Sequence, residues 1–122
     1  MMIAGNTTML YLLTSRSPES LAHAPFLADS LFGEWTTILR IKTFLPHCMN
    51  AFVGADVSCA VLASGMTMLH RTAMLVDVST NGEIALWKDG ALSVASTAAG
   101  PAFESAGSVM GSASVPGVID KV

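Results

Sequence analysis

The chain has 122 residues, a net charge of −3, only 12% charged side chains and a mean hydropathy of +0.57; its length suffices for one ordinary domain with a real core. Six Lys and Arg against nine Asp and Glu offer no basic patch for nucleic acid. Arg16, Arg40, Lys42, Arg71, Asp77 and Lys88 keep every apolar stretch well short of the roughly 20 residues of a membrane span. A charge density far below the usual quarter or so predicts surface that further chain or a partner covers.

In chain order, Met1 to Ala4 reads as the end of a strand, and Gly5-Asn6-Thr7-Thr8 offers an N-cap before an apolar helical stretch from Met9 to Leu13. The start, MMIAGNTTM, has no basic n-region or signal-peptide pattern, so the expected location is the cytoplasm. Ser15 to Asp29, with Pro18 and Pro25, reads as loop holding at most one helical turn at Pro18 to Ala22, and Ser30 to Trp35 is ambiguous. Thr36 to Leu45 alternates with strong β content and reads as one strand ending at Pro46. A helix is expected from near Gly54 through Asp56 to Ser64, stopped by Gly65 and apolar nearly all round, as if buried between layers. Met66 to Thr72 reads as a linker.

The run from Ala73 is the most informative. Met74, Leu75, Val76 and Val78 form a short strand carrying Asp77 to its end; Ser79, Thr80, Asn81 and Gly82 supply turn chemistry, and Glu83 to Lys88 resumes as strand. Asp89-Gly90 signals a two-residue hairpin, with Ala91 to Ala95 returning. A carboxylate at the end of the first of three such strands suits a metal-bound phosphate held against backbone amides; the alternative is a β-turn in which Asp and Asn cap their own backbone. The tail from Ala98 is rich in Gly, Ser and Ala, with a short helix expected at Pro101 to Ala106. Asn6, Thr7 and Thr8 at a helix start would place amides and hydroxyls around an anion, or serve as ordinary caps.

Other groups point to less. Cys48 and Cys59, near His47 and His70, match no usual zinc spacing, which favours buried or interfacial thiols. His23, His47 and His70 form no pattern with a serine nucleophile, so a hydrolase triad is rejected. The eight methionines read as flexible core filling.

Several motifs occur in order along the chain: AGNTTM at Ala4 to Met9, APF at Ala24 to Phe26, FVGADV at Phe52 to Val57, and the stretches Asp77 to Glu83, Ala98 to Ser105 and Gly111 to Gly117. Together they resemble the nucleotide-binding part of the acetate and sugar kinase, heat-shock chaperone and actin superfamily. More narrowly, they are similar to the C-terminal region of ATP-dependent reductive activators of corrinoid proteins, iron–sulfur proteins that return cobalt(II) to cobalt(I). The resemblance implies a mixed α/β chain with a partial ribonuclease H-like or actin-like ATPase fold. Residues 1–72 would be the C-terminal part of a first lobe and residues 73–122 the first strands and turn of a second, both incomplete, so that the chain is a piece of a longer activator.

The resemblance further implies Mg-ATP in the interlobe cleft. Asp77 and Asp56 would be the catalytic carboxylates, with Asp77 reaching magnesium indirectly. Asn6, Thr7, Thr8, Ser79, Thr80, Asn81, Gly82, Glu83 and Gly100 would contact phosphate or nucleotide. Glu83 would take a ribose or a water beyond those bound to the metal, or else stand exposed at a strand start, and Gly100-Pro101 with Phe103-Glu104 would close over the nucleotide or form a structural turn. Asp56 has capping of its own helix as the alternative. The implied partner is a corrinoid protein or corrinoid methyltransferase, with the rest of the activator and a second copy of the chain as further candidates. No iron–sulfur cluster is expected in this chain, since two cysteines cannot supply four ligands.

The departures from the family pattern are Ser79 and Ser105 in place of glycines and Ala113 in place of arginine. A Cβ at residue 79 restricts backbone approach to phosphate, and loss of arginine removes a bidentate donor. Two functions follow: part of an ATP-dependent corrinoid activator, or a non-catalytic remnant or interaction module of the same fold.

Overall fold

The computed structural model describes residues 1–78 and 81–99. Ser79, Thr80, Gly100, Ser105, Ala113, the Gly111 to Gly117 stretch and the helix expected at Pro101 to Ala106 lie outside the described residues. Within them the chain is mixed α/β, with a two-stranded and a three-stranded antiparallel sheet.

The first helix, α1 (Thr7–Leu13), begins where expected. Asn6 is extended, at φ −66° and ψ 160°, and its side chain accepts a hydrogen bond from the Met9 amide at 2.8 Å, satisfying one of the free donors at the helix start. Leu10 and Tyr11 are buried while Met9, Leu12 and Leu13 stay exposed. The Tyr11 hydroxyl accepts from the Ser30 amide at 2.7 Å, and its ring meets Phe32 edge-on at 5.6 Å, which pins the following loop. The single turn α2 (Glu19–Ala22) follows Pro18 and buries Leu21.

Where one strand was expected from Thr36 to Leu45, the structure has a hairpin: β1 (Glu34–Ile38) pairs with β2 (Ile41–Leu45). Leu39 and Arg40 make the turn with φ of 49° and 66°. Such a two-residue turn needs left-handed backbone at both positions, which Asn-Gly adopts cheaply and Leu-Arg does not. The hairpin also resolves the ambiguous Ser30 to Trp35 stretch, since Glu34 and Trp35 open β1. Met1 to Ala4 does not form a named strand. Met2 makes a parallel bridge to Phe44, and the Phe44 amide donates to the Met1 carbonyl at 2.9 Å.

The third helix, α3 (Ala55–Ser64), ends at Gly65, whose φ of 64° supplies the left-handed C-cap. It is not buried on all sides as its composition predicted. Ala55, Val57 and Val61 face the core, but Leu62 is 76% exposed because a sheet covers one side of the helix only. A 3-10 turn at Met66–Met68 interrupts the expected linker and sends Met66 into the core.

The second sheet has the order β3 (Ala73–Val78), β4 (Asn81–Lys88), β5 (Ala91–Ala98). Asp89 and Gly90 form the expected turn, with φ of 52° and 79°. Two boundaries differ from expectation. Asn81 and Gly82 belong to β4, paired with Ala98 and Thr97, and β5 runs on to Ala98. Their turn-like composition yields to strand pairing, Gly82 with Val78 and Thr97 on both sides of β4 and Asn81 with Ala98 of β5. Alternation puts Ala73, Leu75, Asp77, then Glu83, Ala85, Trp87, then Leu92, Val94, Ser96 on the inner face. There Leu75, Ala85, Trp87, Leu92 and Val94 pack on Val53, Val57, Val61 and Met66, each buried aliphatic contributing about 1.5–3 kcal/mol. Met74, Val76, Val78 and Ile84 remain exposed on the other face.

Candidate functional site

The inner face of the three-stranded sheet changes character along its length. Its rows Ala73/Trp87/Leu92 and Leu75/Ala85/Val94 are largely apolar, whereas the last inward row is Asp77, Glu83 and Ser96, paired across the strands. This polar row meets the N-terminal end of α3, where the Asp56 carboxylate accepts from the Val57 amide at 2.9 Å.

Glu83 is only 8% exposed, so the exposed strand-start alternative is overturned. Burial is the first cause that pushes its carboxyl above the ordinary glutamate range, followed by the negative charges of Asp56 and then Asp77; a hydrogen bond from the Ser96 hydroxyl works the other way. The charges of Asp56 and Asp77 thus reach Glu83 across the junction of α3 and the sheet. Among the described residues no group of three or more acidic, His or Cys side chains is placed to chelate an ion directly.

Beside this row lies an open cleft of about 540 Å³. One wall carries Asn6, Thr7, Thr8 and Met9 from the start of α1, with Ala51 and Phe52 from the loop before α3; the other carries Asn81 and Ser96 to Ala98. The α1 wall is held by a part-buried hydrogen bond from the Thr7 hydroxyl to the Asn50 carbonyl at 2.8 Å. Asn50 in turn accepts the Phe52 and Val53 amides on its side-chain oxygen, each at 2.8 Å. That turn leaves Phe52 half exposed and 5.6 Å from the Phe26 ring. The FVGADV stretch therefore forms a tight shelf on which APF and AGNTTM meet.

The expected residues fall into distinct positions. Asn6, Thr7, Thr8 and Asn81 share the cleft, and beside it Asp77 pairs with Glu83 across the strands, with the charge of Asp56 reaching Glu83. Asn6 does cap α1, while Asp56 does not cap α3, whose N-cap is Gly54. Gly82 is buried within β4 against Thr97. Ser79, Thr80 and Gly100 fall outside the described residues. Ser96 and Thr97 join the site without having been singled out in the sequence, and Met9 and Phe52, which lie in the AGNTTM and FVGADV motifs, join it without having been assigned a role there. Cys48 is buried in the α1–β2 core, and burial pushes its thiol up, the behaviour of an inert structural cysteine. No helix of the described residues is long and apolar enough to cross a membrane.

Comparison with known proteins gives this geometry a context. The profile of the RACo middle region matches residues 1–69, and that of the C-terminal domain of RACo, the ASKHA domain, matches residues 71–122. The chain belongs to the RACo family. It is 40% identical to the corrinoid activation enzyme RamQ of Eubacterium limosum over 97% of this chain and 21% of that protein. It is 31% identical to the [Co(II) methylated amine-specific corrinoid protein] reductase of Methanosarcina barkeri over 77% of this chain and 17% of that one. A solved reductive activator for corrinoid, iron–sulfur protein superposes with a TM-score of 0.76 at 28% identity, covering 87% of this chain and 18% of its own. The chain thus spans about a fifth of the length of these RACo-type relatives. Mixed α/β architecture and part of an actin-like ATPase fold follow from these matches. In RACo terms one wall of the cleft comes from the middle-region match and the other from the ASKHA match.

Proposed function

We propose that this chain forms part of an ATP-dependent reductive activator of corrinoid proteins and contributes a Mg-ATP site that helps drive cobalt(II) back to cobalt(I). Residues 1–72 would belong to one ATPase lobe and residues 73–122 to the next. The supporting observation is the cleft that brings Asn6, Thr7 and Thr8 opposite Asn81 and Ser96, beside the Asp77–Glu83 row. Hydroxyls, amides and carboxylates make a hard-oxygen donor set that fits a magnesium-bound phosphate. When bound, magnesium would neutralise phosphate charge and the repulsion among the nearby carboxylates.

The chain's own residues would have separable tasks. Thr8 and Asn81 would contact the phosphate from opposite walls, and Ser79, Thr80, Gly82 and Gly100 would be further phosphate or nucleotide contacts. Asp77 and Glu83 would orient the hydrated cation, and Asp56 would carry the same field to α3. Nucleotide arrival would draw the two walls together. The electron for cobalt would come from an iron–sulfur donor beyond these residues, since Cys48 and Cys59 fall short of four thiolates. The partner would be a corrinoid protein or corrinoid methyltransferase.

Calorimetric titration of Mg-ATP into the folded, monodisperse chain tests the reading, with Asp77→Ala as control. Saturable binding lost in the variant is expected. A folded chain that takes up no Mg-ATP would instead be an interaction module of the same fold.

A further inference from the structure

We propose that Ser96 is a positioning residue of this site, its hydroxyl tying the buried Glu83 carboxylate to β5 at the point where the polar row of the sheet meets the N-terminal end of α3. The inference rests on the nucleotide reading above and adds to it a residue that no motif in the chain contains.

The argument begins with register. Ser96 stands directly opposite Glu83 in the β4–β5 ladder, and both side chains face inward. Cross-strand neighbours have Cβ atoms about 4.5–5.5 Å apart, within reach of a short hydroxyl and a carboxylate, and the Ser96 hydroxyl is among the groups that act on the Glu83 carboxyl, lowering it against the stronger effect of burial. On the far side of Glu83 stands Asp77, its partner in β3, and the charge of Asp56 of α3 also reaches Glu83. The like charge of Asp77 pushes the carboxylate away, and glutamate has three rotatable bonds with which to leave.

A tether from β5 opposes that escape. Ser96 also lines the main cleft and a smaller neighbouring one of about 260 Å³ beside Phe52, so the tether sits at the mouth of the site rather than in the apolar core. A hydroxyl has a single proton to donate. Ser96 directs it at Glu83 and thereby fixes the oxygens with which Glu83 orients a hydrated cation.

Titrations of ATP in the presence and absence of magnesium, on the chain and its variants, test this. Ser96→Ala is expected to weaken Mg-ATP binding about tenfold, the scale of one hydrogen bond to a charged group, while metal-free ATP binds within about twofold of the original chain. Ser96→Thr, which keeps the hydroxyl, should restore affinity to within about threefold. Ser93→Ala, on the outward face of the same strand, should change nothing. Should the alanine variant fail to fold, Ser96→Cys keeps the volume with a much weaker donor and should give the same magnesium-dependent loss.

Unchanged Mg-ATP affinity in Ser96→Ala, or an equal loss with and without magnesium, overturns the role of Ser96. If Asp77→Ala still abolishes binding in that case, the nucleotide reading stands. An unsubstituted chain that binds no Mg-ATP removes both.

Discussion

Gly54 and Asn6 touch backbone to backbone: a Cβ added at Gly54 would overlap the Asn6 Cα and come within 2.6 Å of the Gly5 carbonyl oxygen. The contact joins the starts of α1 and α3, and the Ala55 amide donates to the Gly5 carbonyl at 3.0 Å beside it. At φ −85° the backbone of Gly54 suits any residue, so the requirement is for space. Gly54→Ala should therefore push the two helix starts apart and destabilise the chain by about 3 kcal/mol, the upper range of overpacking. Urea unfolding measures it, and a loss below about 1 kcal/mol would mean that the junction yields easily.

Glu83 gives the chain a definite pH response. Burial first, then Asp56 and Asp77, hold its carboxyl above the ordinary glutamate range, so the folded state keeps this proton to higher pH than the unfolded chain. In that window the native state binds more protons, and stability falls as pH rises through it. Glu83→Gln should remove this contribution and leave the chain more stable than the original at neutral pH. Urea midpoints from about pH 4 to about pH 8 compare the two; parallel curves would show that Glu83 ionisation is not strained by its neighbours.

How much of this was legible depended on local signals. Asn6 before an apolar stretch and Gly65 after one marked the ends of α1 and α3, and Asp89-Gly90 marked its turn, because each chemistry acts within a few residues. Leu39-Arg40 carried no such signal. Its left-handed backbone is imposed by the pairing of β1 with β2, so a hairpin read as one strand. Asn81-Gly82 failed in the opposite sense, having turn composition but strand pairing. The cleft lay between: Asn6, Thr7, Thr8 and Asn81 stood out as polar residues, whereas Phe52 and Met9 read as ordinary apolar residues. Ser96 was recoverable, since a two-residue loop at Asp89-Gly90 pairs Lys88 with Ala91 and, counting back, Glu83 with Ser96.

Thr7 is buried with its hydroxyl donating to the Asn50 carbonyl, so Thr7→Val keeps the shape and deletes the bond. An acceptor left without its donor in a part-buried site costs about 1–3 kcal/mol. The turn that presents Phe52 should also loosen. Urea unfolding is expected to register the loss, and amide exchange at Phe52 and Val53 should quicken. Unchanged exchange there would separate the shelf from the helix.

Trp87 donates its indole N–H to the Leu69 carbonyl at 3.0 Å, tying the sheet to the segment that leads into it. Because that carbonyl can recover a water partner, Trp87→Phe should cost only about 0.5–1.5 kcal/mol. Thermal unfolding measures the change. A loss several times larger would mean that the indole's packing on α3, rather than its hydrogen bond, dominates.

Asn6 has two roles that one pair of substitutions separates. Asn6→Ala deletes the cap on the Met9 amide and should cost about 1 kcal/mol. Asn6→Asp keeps a good cap, and its negative charge suits the start of a helix, so stability should hold within about 0.5 kcal/mol. The same charge stands on the wall of the cleft, where it opposes an anion. If phosphate occupies that cleft, Asn6→Asp should weaken nucleotide binding about tenfold or more, since a like charge about 4 Å away disfavours the anion by about 1 kcal/mol even at the dielectric of water and by more near a protein surface. Urea unfolding and calorimetry on both variants give the answer. An aspartate variant that is stable and binds Mg-ATP as well as the original chain would place the phosphate elsewhere and leave Asn6 as a helix cap alone.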